Sequence, residues 1–137
     1  MSVPRAAASE GDNTQVVDVI SIYNFTVSDG YAGRIDANAT FATNWASGYP
    51  ANLGPITFTY WVEVTGTTNF TSPMFTVVAT GNPAQPPVQA FVLNSVAPGT
   101  YSATLHVTAT AYDSTTDITY VAAEKTTPST PATFTVT

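Results

Sequence analysis

The chain has 137 residues, no cysteine, and three basic against nine acidic side chains, which gives a formal net charge of −6. This length predicts a single domain, and the lack of cysteine excludes disulfide bonds, thiolate metal sites and a cysteine nucleophile. Because only Arg5, Arg34 and Lys125 could neutralise phosphates, the sequence argues against a nucleic-acid partner and against anionic membrane surfaces.

The composition predicts an all-β protein. Threonine, valine and aromatic residues are frequent, whereas lysine, glutamate, glutamine, arginine and leucine are scarce. β-branched and aromatic side chains suit a pleated surface, while the scarce residues are the good helix formers. No apolar run approaches the ~20 residues that a membrane-spanning helix needs, so no membrane partner is expected.

The chain begins with a segment that shows no periodicity. Residues 1–13, "MSVPRAAASEGDN", combine small and polar residues with Pro and Gly, and we interpret them as an N-terminal arm. They contain no apolar central segment, so we expect no secretory signal. Residues 14–137 are expected to form the domain. Within them, 14–27 is predicted to hold two short strands with a kink, and 28–31 a turn.

Clean alternation of apolar and polar residues over 34–45 and 56–64 predicts two strands that each bury one face. A loop is predicted between them, at 46–55, because Gly and Pro are frequent there. The inward-facing residues are expected to be Ile35, Ala37, Ala39, Phe41 and Trp45 in the first strand, and Ile56, Phe58, Tyr60, Val62 and Val64 in the second.

The second half of the chain is predicted to consist of further strands and turns. Without helical crossovers the sheets must be mostly antiparallel, and about seven to nine short strands with Gly and Pro punctuation are typical of a sandwich or barrel. The longest alternating stretch places Tyr101 and Leu105 on one side and His106 on the other. The further strands are predicted at 74–80, 88–93, 101–112, 118–124 and 132–137.

One stretch, "FVLNSVAPGTYSATLHVTA", resembles the corner between the fifth and sixth strands of immunoglobulin-like and fibronectin-III-like domains. The matching residues are Leu93 or Val96, followed by Pro98, Gly99 and Tyr101. The resemblance implies an antiparallel Ig-like β-sandwich in which the Tyr101 hydroxyl bonds to backbone a few residues upstream. The closing "PATFTVT" resembles the last strand of many phage and bacterial surface modules of this class. Neither match transfers functional residues.

Few residues suggest chemistry. His106 is the only histidine and lies on the threonine side of its strand, where we expect it to be solvated or packed at an edge. Asp113 and Asp117 flank a turn and are weak candidates for a Ca²⁺ site, since calcium takes six to eight oxygen ligands; aspartate also favours turns without any metal. We therefore expect no catalytic residues, no cofactor and no enzymatic activity.

Aromatic residues are the better candidates, because they bury large areas at interfaces. Trp61 falls on the polar side of its strand, which favours an interface or a covering segment. Trp45 can equally be core, and Tyr49 either a binding contact or part of a packed loop. The interface candidates are Trp61, Trp45, Tyr49, Tyr112 and Arg5.

Two functions of different classes fit these expectations. The first is a non-enzymatic structural protein of a phage-like virion, such as a capsid decoration protein or a tail or fibre component. Its partners would be other subunits or further copies of itself. The second is a cell-surface adhesion or carbohydrate-binding module of a larger bacterial protein, in which aromatics near Trp45 and Tyr49 stack on a sugar. The expected location is the virion or, in the second case, the extracellular surface. Both steps from fold to function are analogies.

Overall fold

The computed structural model describes residues 14–45 and 54–137, and in these ranges the chain forms strands without any helix, which confirms the predicted all-β class. The predicted arm with Arg5, and Tyr49 in the predicted loop, lie outside the described residues. The described strands are β1 (Thr14–Val17), β2 (Ile20–Val27), β3 (Ile35–Thr43), β4 (Ile56–Gly66), β5 (Phe70–Thr71), β6 (Phe75–Ala79), β7 (Gln89–Leu93), β8 (Gly99–Asp113), β9 (Ile118–Pro128) and β10 (Phe134–Val136).

These strands build two sheets that pack face to face, as a β-sandwich does. The large sheet has the order β1-β9-β8-β4-β5, with β6 also on β4 and β10 also on β8, and the small sheet has the order β2-β3-β7. The buried faces of β3, β4 and β8 meet in one continuous core. Within that core Phe41 of the small sheet lies 5.3 Å from both Phe58 and Tyr60 of the large sheet, measured between ring centroids.

The predicted, mostly antiparallel pairing does not extend to β1. This strand pairs with β9 in parallel, from Thr14 opposite Thr119 to Val17 opposite Ala122, so the large sheet is mixed. The antiparallel rule follows from tight hairpins between successive strands, and β1 and β9 stand at opposite ends of the described chain. After β1 the chain passes directly into β2 of the small sheet, so no hairpin fixes the direction of β1.

Two boundaries also differ from the prediction. The short strand β5 lies between the predicted strands 56–64 and 74–80, where it pairs with Glu63 and Val64 of β4. Strand β9 continues past its predicted end at residue 124 to Pro128, which lies opposite Thr104. A bulge opposite residues 107–109 of β8 shifts the register of β9, and this shift interrupts the alternation by which a strand is recognised in sequence.

The two lateral sides of the sandwich are closed in different ways. Beside β2, the segment after β9 bridges the sheets through backbone bonds. Thr130 donates to the Phe25 carbonyl at 2.9 Å, and Gly30 donates to the Thr135 carbonyl at 2.7 Å. Beside β6 and β7 the rings of Phe75 and Phe91 meet across the two sheets, 5.2 Å apart between centroids, and the segment between these strands pairs with β3 through Ala84 and Thr43. In the described part of the chain, backbone bonds therefore bridge the sheets beside β2, whereas side chains bridge them beside β6 and β7.

Tyr101 fixes the crossover from the small sheet into β8. Its ring is 1% exposed, and its hydroxyl donates to the Ala97 carbonyl at 2.6 Å, four residues upstream. The ring stacks on Phe134 of β10 at 6.1 Å. Gly99 allows the close approach of the β4–β5 turn, because a Cβ at this position would collide with the Thr67 side chain. The corner thus ties three segments of the chain together.

Replacing Tyr101 by phenylalanine keeps the ring and removes the hydroxyl. We expect Tyr101→Phe to lower the free energy of unfolding by on the order of 1 kcal/mol or more, because the hydrogen bond from the buried Tyr101 side chain to the Ala97 carbonyl is lost. Chemical denaturation measures the loss. Tyr31→Phe is the matched control, since Tyr31 is 78% exposed. Equal stability of the Tyr101 variant and the wild type would contradict this role of the corner.

Candidate functional site

The outer face of the large sheet carries the most unusual side-chain cluster among the described residues. Trp61 of β4 lies directly opposite His106 of β8 in the ladder, and both side chains point away from the core because their neighbours Tyr60, Val62 and Leu105 are buried. The two rings are nearly parallel, 8° apart, with centroids separated by 5.1 Å. A histidine and a tryptophan are thus stacked on the outside of the sheet.

Two carboxylates hold His106 from opposite sides. Its Nδ1 lies 2.8 Å from Glu124 Oε2 of β9, and its Nε2 lies 3.2 Å from Glu63 Oε1 of β4. The histidine side chain is 17% exposed, against 56% for Glu63 and 44% for Glu124. His106 therefore links β8 to both neighbouring strands, at a position where the sequence predicts a side chain that is solvated or packed at an edge.

The arrangement of these side chains favours a structural role for His106 over a role in a catalytic or ion-binding site. The two carboxylates approach opposite ends of the imidazole ring, so they do not converge on one position together with a ring nitrogen. In residues 14–45 and 54–137 no three His, Asp or Glu side chains are arranged to hold a metal ion. Each contact between exposed partners contributes only about 0.2–1 kcal/mol. The ring stack and the two carboxylate contacts therefore act together to hold the side chains of the outer face in place.

The other half of this face is uncharged. In the ladder, Val16, Val121, Thr110, Thr57 and Val78 follow one another across β1, β9, β8, β4 and β6. Val16 is 71% and Val78 is 55% exposed. A row of threonine and valine therefore crosses the whole sheet and ends in an exposed valine at each edge.

Tyr112 stands beside this row and is 47% exposed. Its hydroxyl donates to Asp117 Oδ1 at 2.7 Å. This hydrogen bond is the main reason that the pKa of Tyr112 is raised above 10.0, with smaller contributions from desolvation and from the negative charges of Asp117 and Asp113. Of the aromatic interface candidates, Tyr112 and the half-buried Trp61 both point outward from the large sheet.

The calcium interpretation of Asp113 and Asp117 needs correction. Asp113 is fully buried, and its carboxylate accepts hydrogen bonds from the Thr115 amide at 3.0 Å and the Thr116 hydroxyl at 2.6 Å. Asp117 is exposed and bonds to the outward-facing Tyr112. The two carboxylates therefore lie on opposite faces of the sheet. They stabilise the turn between β8 and β9 instead of sharing an ion.

Trp45 is corrected as an interface candidate, because it belongs to the core. It is 6% exposed and meets the Tyr120 ring edge-on at a centroid distance of 5.9 Å. The Asn82 side chain fixes its backbone, accepting from the Trp45 amide at 3.0 Å and donating to the Trp45 carbonyl at 3.2 Å. The alternation over 34–45 predicts this burial, because it places Trp45 on the inward side.

The sequence did not identify Glu63 and Glu124 as partners of His106. Glu63 shares the outward parity of Trp61, so one partner was accessible from alternation alone. Glu124 lies within the register shift between β8 and β9, so its position relative to His106 depends on a bulge that local periodicity does not encode. Spacing along the chain therefore predicts the side of the sheet on which Glu63 lies, but not the position of Glu124.

Replacing Trp45 by alanine should destabilise the domain far more than the same change at Trp61. Trp45→Ala is expected to cost about 3–5 kcal/mol, as is usual for deletion of a buried tryptophan. Trp61→Ala removes a half-buried ring and should cost clearly less. Urea unfolding of both variants measures the difference. An equal or smaller loss for Trp45→Ala would contradict its assignment to the core.

The Tyr112–Asp117 contact predicts a pH effect. The folded pKa of Tyr112 lies above the ordinary value, so the contact stabilises the fold fully below pH 10.0 and is lost as the pH rises through the folded pKa. Asp117→Asn should shift the Tyr112 titration towards the ordinary value, which ultraviolet absorbance of tyrosinate measures against a Tyr112→Phe reference. Asp36→Asn on the small sheet is the control. An unchanged titration in Asp117→Asn would exclude the contact.

Among the described residues no helix is long and apolar enough to cross a membrane. Comparison with protein-family models, curated proteins and solved structures finds no match to this chain.

Proposed function

We propose that the chain is an Ig-like structural domain of a phage-like virion, either a capsid decoration protein or a tail or fibre component. In this role it acts through contacts between subunits, catalyses no reaction, needs no cofactor, and contacts neither nucleic acid nor membrane. Its location is the virion. The observation that carries the proposal is a sandwich in which β1 and β7, two uncharged strands at the ends of different sheets, each have a single partner strand among the described residues.

The strand arrangement supports the Ig-like part of the proposal. In Ig-like sandwiches the third, sixth and seventh strands share one sheet, and the first, second and fifth lie in the other. Strands β4, β8 and β9 occupy the first set of places, and β2, β3 and β7 the second. Tyr101 at the start of β8, bonded to Ala97, has the position and contact of the tyrosine corner.

The two free edges support contacts between subunits. Strand β1 ends the large sheet with β9 as its partner, and β7 ends the small sheet with β3 as its partner. Neither strand contains a charged residue or a proline, which are the usual means of blocking an edge. Extended backbone from another chain can add to such an edge. With edges on both sides, one subunit can contact two neighbours.

The carbohydrate-binding alternative loses part of its support. It relied on Trp45 and Tyr49 to stack on a sugar, and Trp45 is buried against Tyr120. Trp61 is outward-facing, but His106 stacks on one face of its indole ring, so that face is not available to a sugar ring. The virion proposal does not depend on any of these side chains.

Recovery of the chain in particles tests the proposal. Particles released from cells that express the gene are purified on a density gradient, and their proteins are quantified by mass spectrometry. The proposal expects the chain in the particle band, at a fixed ratio to the major structural subunit. Recovery in the cell-envelope fraction instead would contradict it and favour the adhesion alternative.

Removal of residues 1–13 tests the predicted arm. The truncated chain should keep the melting temperature of the full chain, because it retains every described strand and the core cluster from Val19 to Val136. It should bind particles at least about tenfold more weakly, which corresponds to 1.4 kcal/mol. Co-sedimentation measures binding, and Arg5→Ala examines the only cation of the arm. Wild-type binding by the truncated chain would exclude a role of the arm.

A further inference from the structure

We propose that two copies of this chain associate through β7, edge to edge and antiparallel, so that two small sheets join into one continuous sheet. The inference deepens the proposed function by naming a second copy of the chain as a partner. The contact surface comprises β7 and the neighbouring edge formed by residues 70–79, which we call the open side.

One edge of the small sheet is unpaired among the described residues. There β7 pairs with β3 alone, whereas the opposite edge strand, β2, is bridged to Thr130 by backbone bonds. The sequence of β7, QAFVL, offers a five-residue edge without charge or proline. Unprotected edges of this kind pair with further strands, so the small sheet has one edge available for addition.

Charged residues are distributed unevenly along the chain. From Val64 to Leu105 the sequence contains no Asp, Glu, Lys, Arg or His, and this range includes β5, β6, β7 and the loops between them. Each copy carries a net charge of −6, so two copies repel each other most where acidic groups face one another. On the neighbouring strand Asp36 is paired with Arg34 at 3.0 Å. The open side is therefore the approach with little electrostatic cost.

The open side also exposes apolar side chains. Met74 is 67%, Val78 55% and Val88 60% exposed, and all three lie on or next to the edge strands β6 and β7. A groove of about 240 Å³ lies between residues 70–73 and residues 92–94, so it is lined by both edges. Association would remove part of this apolar surface from water, which favours the dimer. The residues that line the groove are Phe70, Thr71, Ser72, Pro73, Val92, Leu93 and Asn94.

Symmetry makes a second copy the fitting occupant. An antiparallel pair of identical strands is related by a two-fold axis, so each copy offers the same surface and the contact closes after two subunits. A short uncharged strand is complementary to itself in this way. Residues 1–13 are a poorer occupant of the edge, because they contain Pro4, Arg5, Glu10 and Asp12, and proline and charges oppose strand addition.

Analytical ultracentrifugation over a range of concentrations tests the dimer. The full chain of 14.3 kDa should show a monomer–dimer equilibrium. Ala90 is the exposed residue of β7, and Ala90→Lys brings two like charges close to the two-fold axis. Because like charges at an interface cost several kcal/mol, the dissociation constant should rise at least about tenfold. Val16→Lys, on the edge strand β1 and 71% exposed, is the matched control and should leave the equilibrium unchanged.

Hydrogen exchange of the unmodified chain provides a second measurement that does not depend on the variants. Amides of β7 that face away from β3 should become protected as the concentration rises, whereas amides of β1 should not change. A monomer at every concentration would overturn the inference. So would a dimer that Val16→Lys dissociates and Ala90→Lys does not, or one that disappears on deletion of residues 1–13.

The failure of this inference is distinguishable from the failure of the proposed function. A chain that is monomeric in solution but recovered in purified particles would overturn the β7 dimer and leave the virion proposal standing. A chain that dimerises through β7 but is absent from particles would overturn the virion proposal and leave the dimer standing. The two experiments therefore test the two statements separately.

Discussion

Strand β8 buries one face in the core and presents the other face outward, and the rest of the structure is arranged around this strand. It pairs with β4 along one side and with β9 and β10 along the other. Its inner face delivers Tyr101 and Leu105 to the core. Its outer face presents His106 and Tyr112. A shift by one residue would exchange the two faces, so the alternation of this strand determines both the core and the outer surface.

Much of this architecture is contained in local pattern. Alternation predicted β3, β4 and β8 closely, because each of these strands buries one face, and it placed Trp45 inward. The parallel pairing of β1, the register shift in β9 and the position of Glu124 depend on strands that are distant in sequence. Local periodicity describes a single strand and contains no information about which strand lies beside it, so these features required the structure.

The contrast between the two lateral sides of the sandwich is the basis of the proposed function. Beside β2 the chain uses its own last residues to close the sandwich by backbone hydrogen bonds. Beside β6 and β7 aromatic side chains bridge the sandwich, and each of these two strands has one partner strand among the described residues. A protein with few charges and a negative net charge can bring copies together there with little repulsion. The proposed assembly role rests on this asymmetry more than on any single side chain.

Amide hydrogen exchange, followed residue by residue along β8, is the most direct test of the organising role of this strand. A strand that is paired on both sides and covers the core opens only with the whole domain. Amides from Tyr101 to Ala111 should therefore exchange most slowly in the molecule, at the rate set by global unfolding. Exchange along β8 as fast as at the edge strand β1 would contradict the account.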